Sequence, residues 1–449
     1  MCFSIAEISP GIDIACSGIS GRTKPTAFRF RSQPSPKMIS IDFATIRRHL
    51  FVAIYGMGSW LSINAMYVEL PLLVNIIPEG WTFASYMVVI LQLMCFIALL
   101  YSVVAYKFES LIAGNVYAIS AMCLMSVIGI LMSAFVYNIS STVSGEEHSV
   151  LLMIAIGIMG LPCTVSDMLF MPFISKFKES HIVATYFIGM GLSALVPSAI
   201  SFAQVVPRME NGTDFGAEHW VEGSFNVTVF MCLMAVIMAV SLCGFLLLVR
   251  DRKINAVVEI TAVHERFEND GSSDDVMVTI AEPKKKLTIA ENWFLLLLSC
   301  FLGGAQNSIM PTVLPIACRP YGQETYHLAN SLFIMANPIF CFIPFFISIR
   351  HNLIFVIHTI LCAACLVFFI VMGAIGGIAD HSLANILICI IAPCTSGLMS
   401  WERAAIAEVL RNDSSERGLF WCGTFTQFGA FVLAIVMFLL TTVFKVYGA

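Results

Sequence analysis

Gly56-Met57-Gly58-Ser59-Trp60-Leu61-Ser62-Ile63-Asn64-Ala65-Met66-Tyr67-Val68-Glu69-Leu70-Pro71 lies at the front of the first long apolar segment of this chain. It sets a tryptophan, an amide and a carboxylate inside a run apolar enough to cross a bilayer. Polar groups at that depth are costly, and by default they mark a path for a solute.

Working outward, similar runs recur near residues 50–70, 85–106, 112–137, 149–174, 182–204, 226–249, 293–315, 326–349, 353–373, 383–401 and 419–444. Of 449 residues, 58% are hydrophobic and 12% charged, with mean hydropathy +0.87, far outside the range of soluble domains. The runs are about twenty residues long and lack the ten-residue alternation of barrel strands, so the spans are expected to be helices. The expected fold is an all-α polytopic membrane protein of eleven helices. Residues 1–48 read as a basic cytoplasmic tail without the apolar core of a signal peptide. A six-helix half follows over 49–249, a charged cytoplasmic linker over 250–291, and a five-helix half over 292–449. Such halves, major-facilitator-like or nucleoside-transporter-like, would enclose a central cavity near the midplane.

The charges orient this arrangement. With the amino end inside, 21 of the 24 Lys and Arg fall on cytoplasmic segments, leaving Arg208, Arg319 and Lys445 outside with the carboxyl end. The acceptor patterns at Asn138, Asn211 and Asn226 all fall in outside loops, Asn211 being best placed for glycosylation.

Every Lys and Arg is thereby assigned to a loop or helix end, so no fixed cation is expected to clamp a phosphate or carboxylate in the cavity. Glu69 and Asp167 are the acidic residues expected within the bundle; Asp167 could carry protons or bond a neighbouring hydroxyl. The bundle does contain Trp60, Asn64, Gln92, Asn115, Gln306, Asn307, Asn330, Asn337, Asn385 and Gln427, with 35 phenylalanines. Amides match the donor and acceptor edge of a heterocycle and aromatic faces stack on its ring, which suits a flat, neutral solute. The same amides can also join helix to helix.

Helix breaks are expected at Glu69-Leu70-Pro71, Gly160-Leu161-Pro162 and Asn337-Pro338 with Pro344. Gly189-Met190-Gly191 and Gly303-Gly304 read as sites of close helix contact. Cys362-Ala-Ala-Cys365 reads as packing rather than redox chemistry. The histidines show no metal-ligand spacing, and no phosphate loop or nucleophile elbow is present, so neither an enzyme nor a cofactor or metal site is expected.

Gly56 through Trp60 with Asn64, Val68-Glu69-Leu70-Pro71-Leu72-Leu73-Val74 and Pro78-Glu79-Gly80-Trp81 resemble the first helix and following loop of eukaryotic plasma-membrane riboflavin transporters. Cys318-Arg319-Pro320-Tyr321-Gly322, Tyr326-His327-Leu328-Ala329 and Ala336-Asn337-Pro338 resemble the family's seventh-to-eighth helix region. Leu419-Phe420-Trp421-Cys422-Gly423, with Gln427 and Gly429, is similar to its last helix. The tail before Met38, itself a second candidate start, and the linker 250–291 carry no resemblance. Met190 departs from the family's acidic or amide residue within Gly-x-Gly, so no role is carried over to it.

The resemblance implies a sodium-independent, plasma-membrane riboflavin importer of eleven helices, in some members favoured by acid. Riboflavin, a flat heterocycle with a polyhydroxyl tail and no charge at neutral pH, fits the residue-level reading. Trp60, Asn64, Gln92, Asn307, Asn337 and Gln427 are the expected solute contacts, joined by Tyr326 and His327, and Glu69 is expected to gate or sense pH. A facilitative nucleoside carrier would use the same amides and aromatics. A heptahelical receptor conflicts with the span count, a membrane enzyme lacks a catalytic constellation, and a channel lacks a selectivity ring.

Overall fold

A backbone in hydrocarbon must bond to itself, and this chain meets that demand with helices. The computed structural model describes residues 43–107, 116–174, 177, 182–204, 225–269, 287–341, 343, 351–378 and 380–447. They form α1 Phe43–Met57, α2 Leu61–Leu73, α3 Phe83–Lys107, α4 Val116–Val136, α5 Val150–Ile174, α6 Ile182–Ser201 and α7 Val227–Asn269. The second part holds α8 Ile289–Gly304, α9 Met310–Cys318, α10 Gly322–Cys341, α11 Asn352–Ile375 and α12 His381–Phe438. Among the described residues seven helical stretches are long and apolar enough to cross a membrane, or eight if the bent pair α1–α2 is one span. The apolar helices Val150–Ser166 and Thr185–Ser201 are shorter.

Among the described residues a small hairpin departs from helical structure, β1 Ser141–Val143 against β2 Glu146–His148. Ser144 and Gly145 turn it with φ of 55° and 94°, the two left-handed residues a tight two-residue turn demands.

Two crossings depend on glycine. Where α1 meets α6, a Cβ on Gly56 would stand 2.5 Å from the Tyr186 carbonyl oxygen, and one on Gly189 would overlap that of Ala53. Where α8 meets α12, a Cβ on Gly303 would come within 2.7 Å of the Thr426 oxygen, and one on Gly429 would overlap the Cys300 oxygen. Backbones this close gain dispersion energy that bulkier residues would forfeit. The expected contact roles of Gly189 and Gly303-Gly304 thus have a geometric basis.

Several sequence expectations need correction. The first apolar run is two helices, bent by 49° across Gly58-Ser59-Trp60. It begins at Phe43, so Arg47 and Arg48, read as tail, lie in α1; they bond Asp251 at 2.6 and 2.5 Å and fasten α1 to α7. Pro71 does not end the helix, which continues to Leu73, and α5 runs unbroken through Pro162. Helix α7 continues to Asn269 through charged sequence read as linker. Asn115, Asn211, Pro344 and the Asp167 side chain lie outside the described residues.

Candidate functional site

The break in the first segment follows from its local sequence. Gly58 and Ser59 donate their N–H groups to the carbonyls of Tyr55 and Gly56, three residues back, tightening the chain into turns before α2 resumes. The Ser59 hydroxyl also donates to the Gly56 oxygen at 2.8 Å, and Ser241 of α7 donates to the Tyr55 oxygen at 3.2 Å. Carbonyls freed by a break within a bilayer need such partners. Gly58 lets Ser241 reach its acceptor, since a Cβ there would collide with that hydroxyl. Trp60, half-buried at φ −120°, stands at the break and packs on the core. One turn on, the Asn64 amide donates to Ser193 of α6 at 3.1 Å.

At the end of the bundle where α2 and α6 finish and α10 begins, all three helices meet. Pro71 has no N–H, which leaves the Tyr67 carbonyl without its helical partner. Asn330 of α10 supplies the missing donor, its Nδ2 lying 2.6 Å from the Tyr67 oxygen. Ser331 and Ser201 bring their hydroxyls to 3.3 Å, and His327 meets the Phe202 ring edge-to-face at 6.2 Å. Tyr326 packs against Trp81 at 5.7 Å. Within this layer Glu69 is fully buried; Gln204 donates to its Oε2 at 3.4 Å. Glu69 Oε1, Gln204 Oε1 and both amide atoms of Gln323 are buried without partners among the described residues.

A second polar network joins α8 to α10 and α12. The π-helical turn Ala305–Ile309 carries Gln306, which donates to the Ser400 hydroxyl at 2.5 Å and accepts from Arg403 Nη1 at 2.7 Å. Ser400 lies 2.9 Å from Asn337 Oδ1. Arg403 therefore stands inside the apolar stretch His381–Leu410, correcting the assignment of every Lys and Arg to loops or helix ends. Glu402 beside it is buried, one residue past the end expected for that apolar run.

The structure brings the expected contact residues together only in part. Tyr326, His327 and Glu69 share the α2–α6–α10 end. Asn337 belongs to the second network. Gln92, on α3, is buried with Oε1 unpartnered among the described residues. Phe96, one turn along the same face, stacks on Phe431 of α12 at 6.0 Å, and Gln427 lies one turn from Phe431. Asn307 is half-buried in the π-helical turn, where the extra residue per turn re-aims side chains. Asn138 and Asn226 are exposed, and Asn226 caps α7 by accepting from Val229 N at 3.0 Å.

The sequence profile of solute carrier family 52, riboflavin transporter, matches residues 44–449. The chain belongs to solute carrier family 52. Zebrafish riboflavin transporter member 3-A is 28% identical over 443 residues, covering 89% of this chain and 96% of its own. Riboflavin transporter rft-1 of Caenorhabditis elegans is 29% identical, covering 88% and 96%, and human family member 3 is 27% identical, covering 89% and 97%. A solved POT family transporter in complex with 5-aminolevulinic acid aligns with a TM-score of 0.52 at 12% identity, covering 89% of this chain and 91% of its own. That last likeness is one of fold.

Membership in a solute-carrier family supports transport rather than catalysis. For this family 52 chain, the shortlist drawn from sequence omitted Asn330, Gln204, Ser331 and Trp81, which close the α2–α6–α10 end. The signal for Asn330 was present: a proline within an apolar helix frees the carbonyl four residues back, and a buried amide elsewhere can take it.

Proposed function

We propose that this carrier takes riboflavin up across the plasma membrane by alternating access between a six-helix and a five-helix half. The observation that carries the proposal is the family match across residues 44–449. The relatives' names specify riboflavin, and its neutral ring and hydroxylated tail fit the amide-rich, aromatic interior.

Geometry supports eleven spans. The apolar stretch Ile289–Cys341 has 53 residues, roughly 80 Å if straight, more than twice what a bilayer needs. It turns at Gly322, φ 86°, into two helices, and α12 divides likewise into His381–Leu410 and Trp421–Val443. Counting α1–α2 as one span and including α5 and α6 completes the number. With the amino end cytoplasmic and the carboxyl end outside, the α2–α6–α10 end faces outward, as do Asn138 and Asn226.

In this reading the outer end is closed, and Asn330–Tyr67, Ser331–Ser201 and His327–Phe202 are the contacts between halves that must part for solute to enter. Trp60, Gln92, Asn307 and Gln427 contact the ring. The unpartnered groups on Glu69, Gln204 and Gln323 are suited to the hydroxylated tail as it passes. Asn64 and Asn337, already bonded to Ser193 and Ser400, would exchange those partners for solute.

Cells expressing the chain should show saturable uptake of labelled riboflavin, competed by lumiflavin and not by uridine. Competition by uridine would favour a nucleoside carrier. Uptake at the vector level, with the protein at the surface, would overturn both.

Glu69 is buried with no cationic partner among the described residues, so its charge state should couple to gate opening. Glu69→Gln is expected to flatten the pH profile of uptake. A variant that keeps the wild-type pH response would remove Glu69 from the gate.

A further inference from the structure

Between α11 and α12 lies a polar cluster that the transport reading leaves unused. His358 and Cys362, four residues apart, share one face of α11. Glu402 of α12 meets them, with Oε2 2.9 Å from His358 Nδ1 and 3.9 Å from Cys362 Sγ; that sulfur is also 3.9 Å from His358 Nδ1. Thr359 donates its hydroxyl to the other carboxylate oxygen at 2.6 Å. One ligand atom from each of the three residues falls within 4.8 Å of the others.

We propose that His358, Cys362 and Glu402 form a binding site for a divalent cation of the zinc class, one that staples α11 to α12. The donor set decides the class: thiolate, imidazole and carboxylate together suit Zn2+, whereas Mg2+ and Ca2+ want oxygen alone. Around a tetrahedral Zn2+, ligand atoms should stand about 3.4 Å apart for N and O, and about 3.6 Å apart where sulfur is involved. The observed 2.9 and 3.9 Å lie within about half an ångström of those edges.

The surroundings agree with a ligand. Glu402 is 2% exposed and bonds to neutral or titratable groups, while Arg403, next in sequence, turns to Gln306. A buried carboxylate without a fixed cation is costly, and a metal ion would supply the charge. Thr359 holds the carboxylate oriented, as outer-shell partners do. The fourth position would take water, as is usual where a protein supplies three ligands. Binding requires Cys362 to give up its proton and His358 to be neutral, so affinity should fall as pH falls.

The test uses the purified full-length protein in detergent. Equilibrated with Co2+ and freed of excess, it should hold the ion in this site and show near-ultraviolet thiolate-to-cobalt absorption, displaced by Zn2+. Cys362→Ser should abolish that band while the variant remains monodisperse, and Cys389→Ser should keep it. His358→Ala and Glu402→Gln should each lower affinity at least about tenfold, and Thr359→Val about tenfold. No retained Co2+, or a band that survives Cys362→Ser, would reduce the cluster to a hydrogen-bonded His–Glu pair and overturn the proposal. Neither readout depends on riboflavin.

Discussion

Gly429→Leu should remove the carrier from the cell surface, with less than about a tenth of the wild-type amount reaching it. At this position even a methyl group would overlap the Cys300 carbonyl oxygen, and on the facing helix a Cβ at Gly304 would stand 2.7 Å from the Gly429 oxygen. The obstacles are backbone atoms of α8, so no side-chain rotamer relieves them and the helices must part. Overpacking a close contact commonly costs about 1–3 kcal/mol and here displaces a whole crossing. Parting α8 from α12 also pulls Ser308 from the Ala430 oxygen it bonds at 2.6 Å. Gly423→Ala is the control on the same helix, because a Cβ there meets nothing within 4 Å. Alanine at that site should leave surface expression unchanged or raise it slightly, since it is the better helix former. Surface biotinylation of the two variants checks the pair, and equal expression would mean that the crossing is not glycine-dependent.

The membrane class was legible because hydropathy sums over many residues, so no single misreading can reverse it. Helix ends were less legible, being decided by a few bonds. The start of α8 at Ile289, ahead of the expected 293, follows from a capping box: Thr288 accepts from Glu291 N at 3.2 Å, and the Glu291 carboxylate accepts from Thr288 N at 2.8 Å. That Thr-x-x-Glu signal stood in the sequence. The break before Leu61 did not announce itself in the same way. Gly56 and Gly58 are equally compatible with a straight helix in close contact, and what secures the break is Ser241, more than 180 residues away.

The candidate site divides along the same line. Trp60, Glu69 and Asn64 stood out because polar groups in an apolar run are visible in one dimension. The partners that give them meaning are set by folding: Asn64 with Ser193, Glu69 with Gln204, Tyr67 with Asn330. Arg403 and Glu402 were hidden by a boundary error, since α12 stays helical past the point where its apolar run was expected to end. The His358–Cys362–Glu402 cluster escaped for a different reason. Two of its members lie at helical spacing, but the third is forty residues on, and spacing rules register only ligands that are near in sequence.

Asn330→Leu should destabilise the meeting of α2 with α10, and Pro71→Ala should repair most of the damage. In the parent protein the Tyr67 carbonyl has lost its helical donor to Pro71 and accepts from Asn330 instead. Leucine at 330 leaves that oxygen buried and unpaired, at a cost of about 1–3 kcal/mol. Alanine at 71 restores an N–H four residues along the same helix, where it can bond the Tyr67 oxygen without help from α10. Pro71→Ala alone should therefore be mild, and the double variant should recover at least about half of the stability that Asn330→Leu loses. The measurement is a double-mutant cycle on the purified carrier's thermal unfolding, read alongside uptake. Additive losses would mean that Asn330 acts through packing rather than through the orphaned carbonyl. Recovery of stability without recovery of uptake would mean that transport needs the Asn330 bond itself and not merely a donor for that carbonyl.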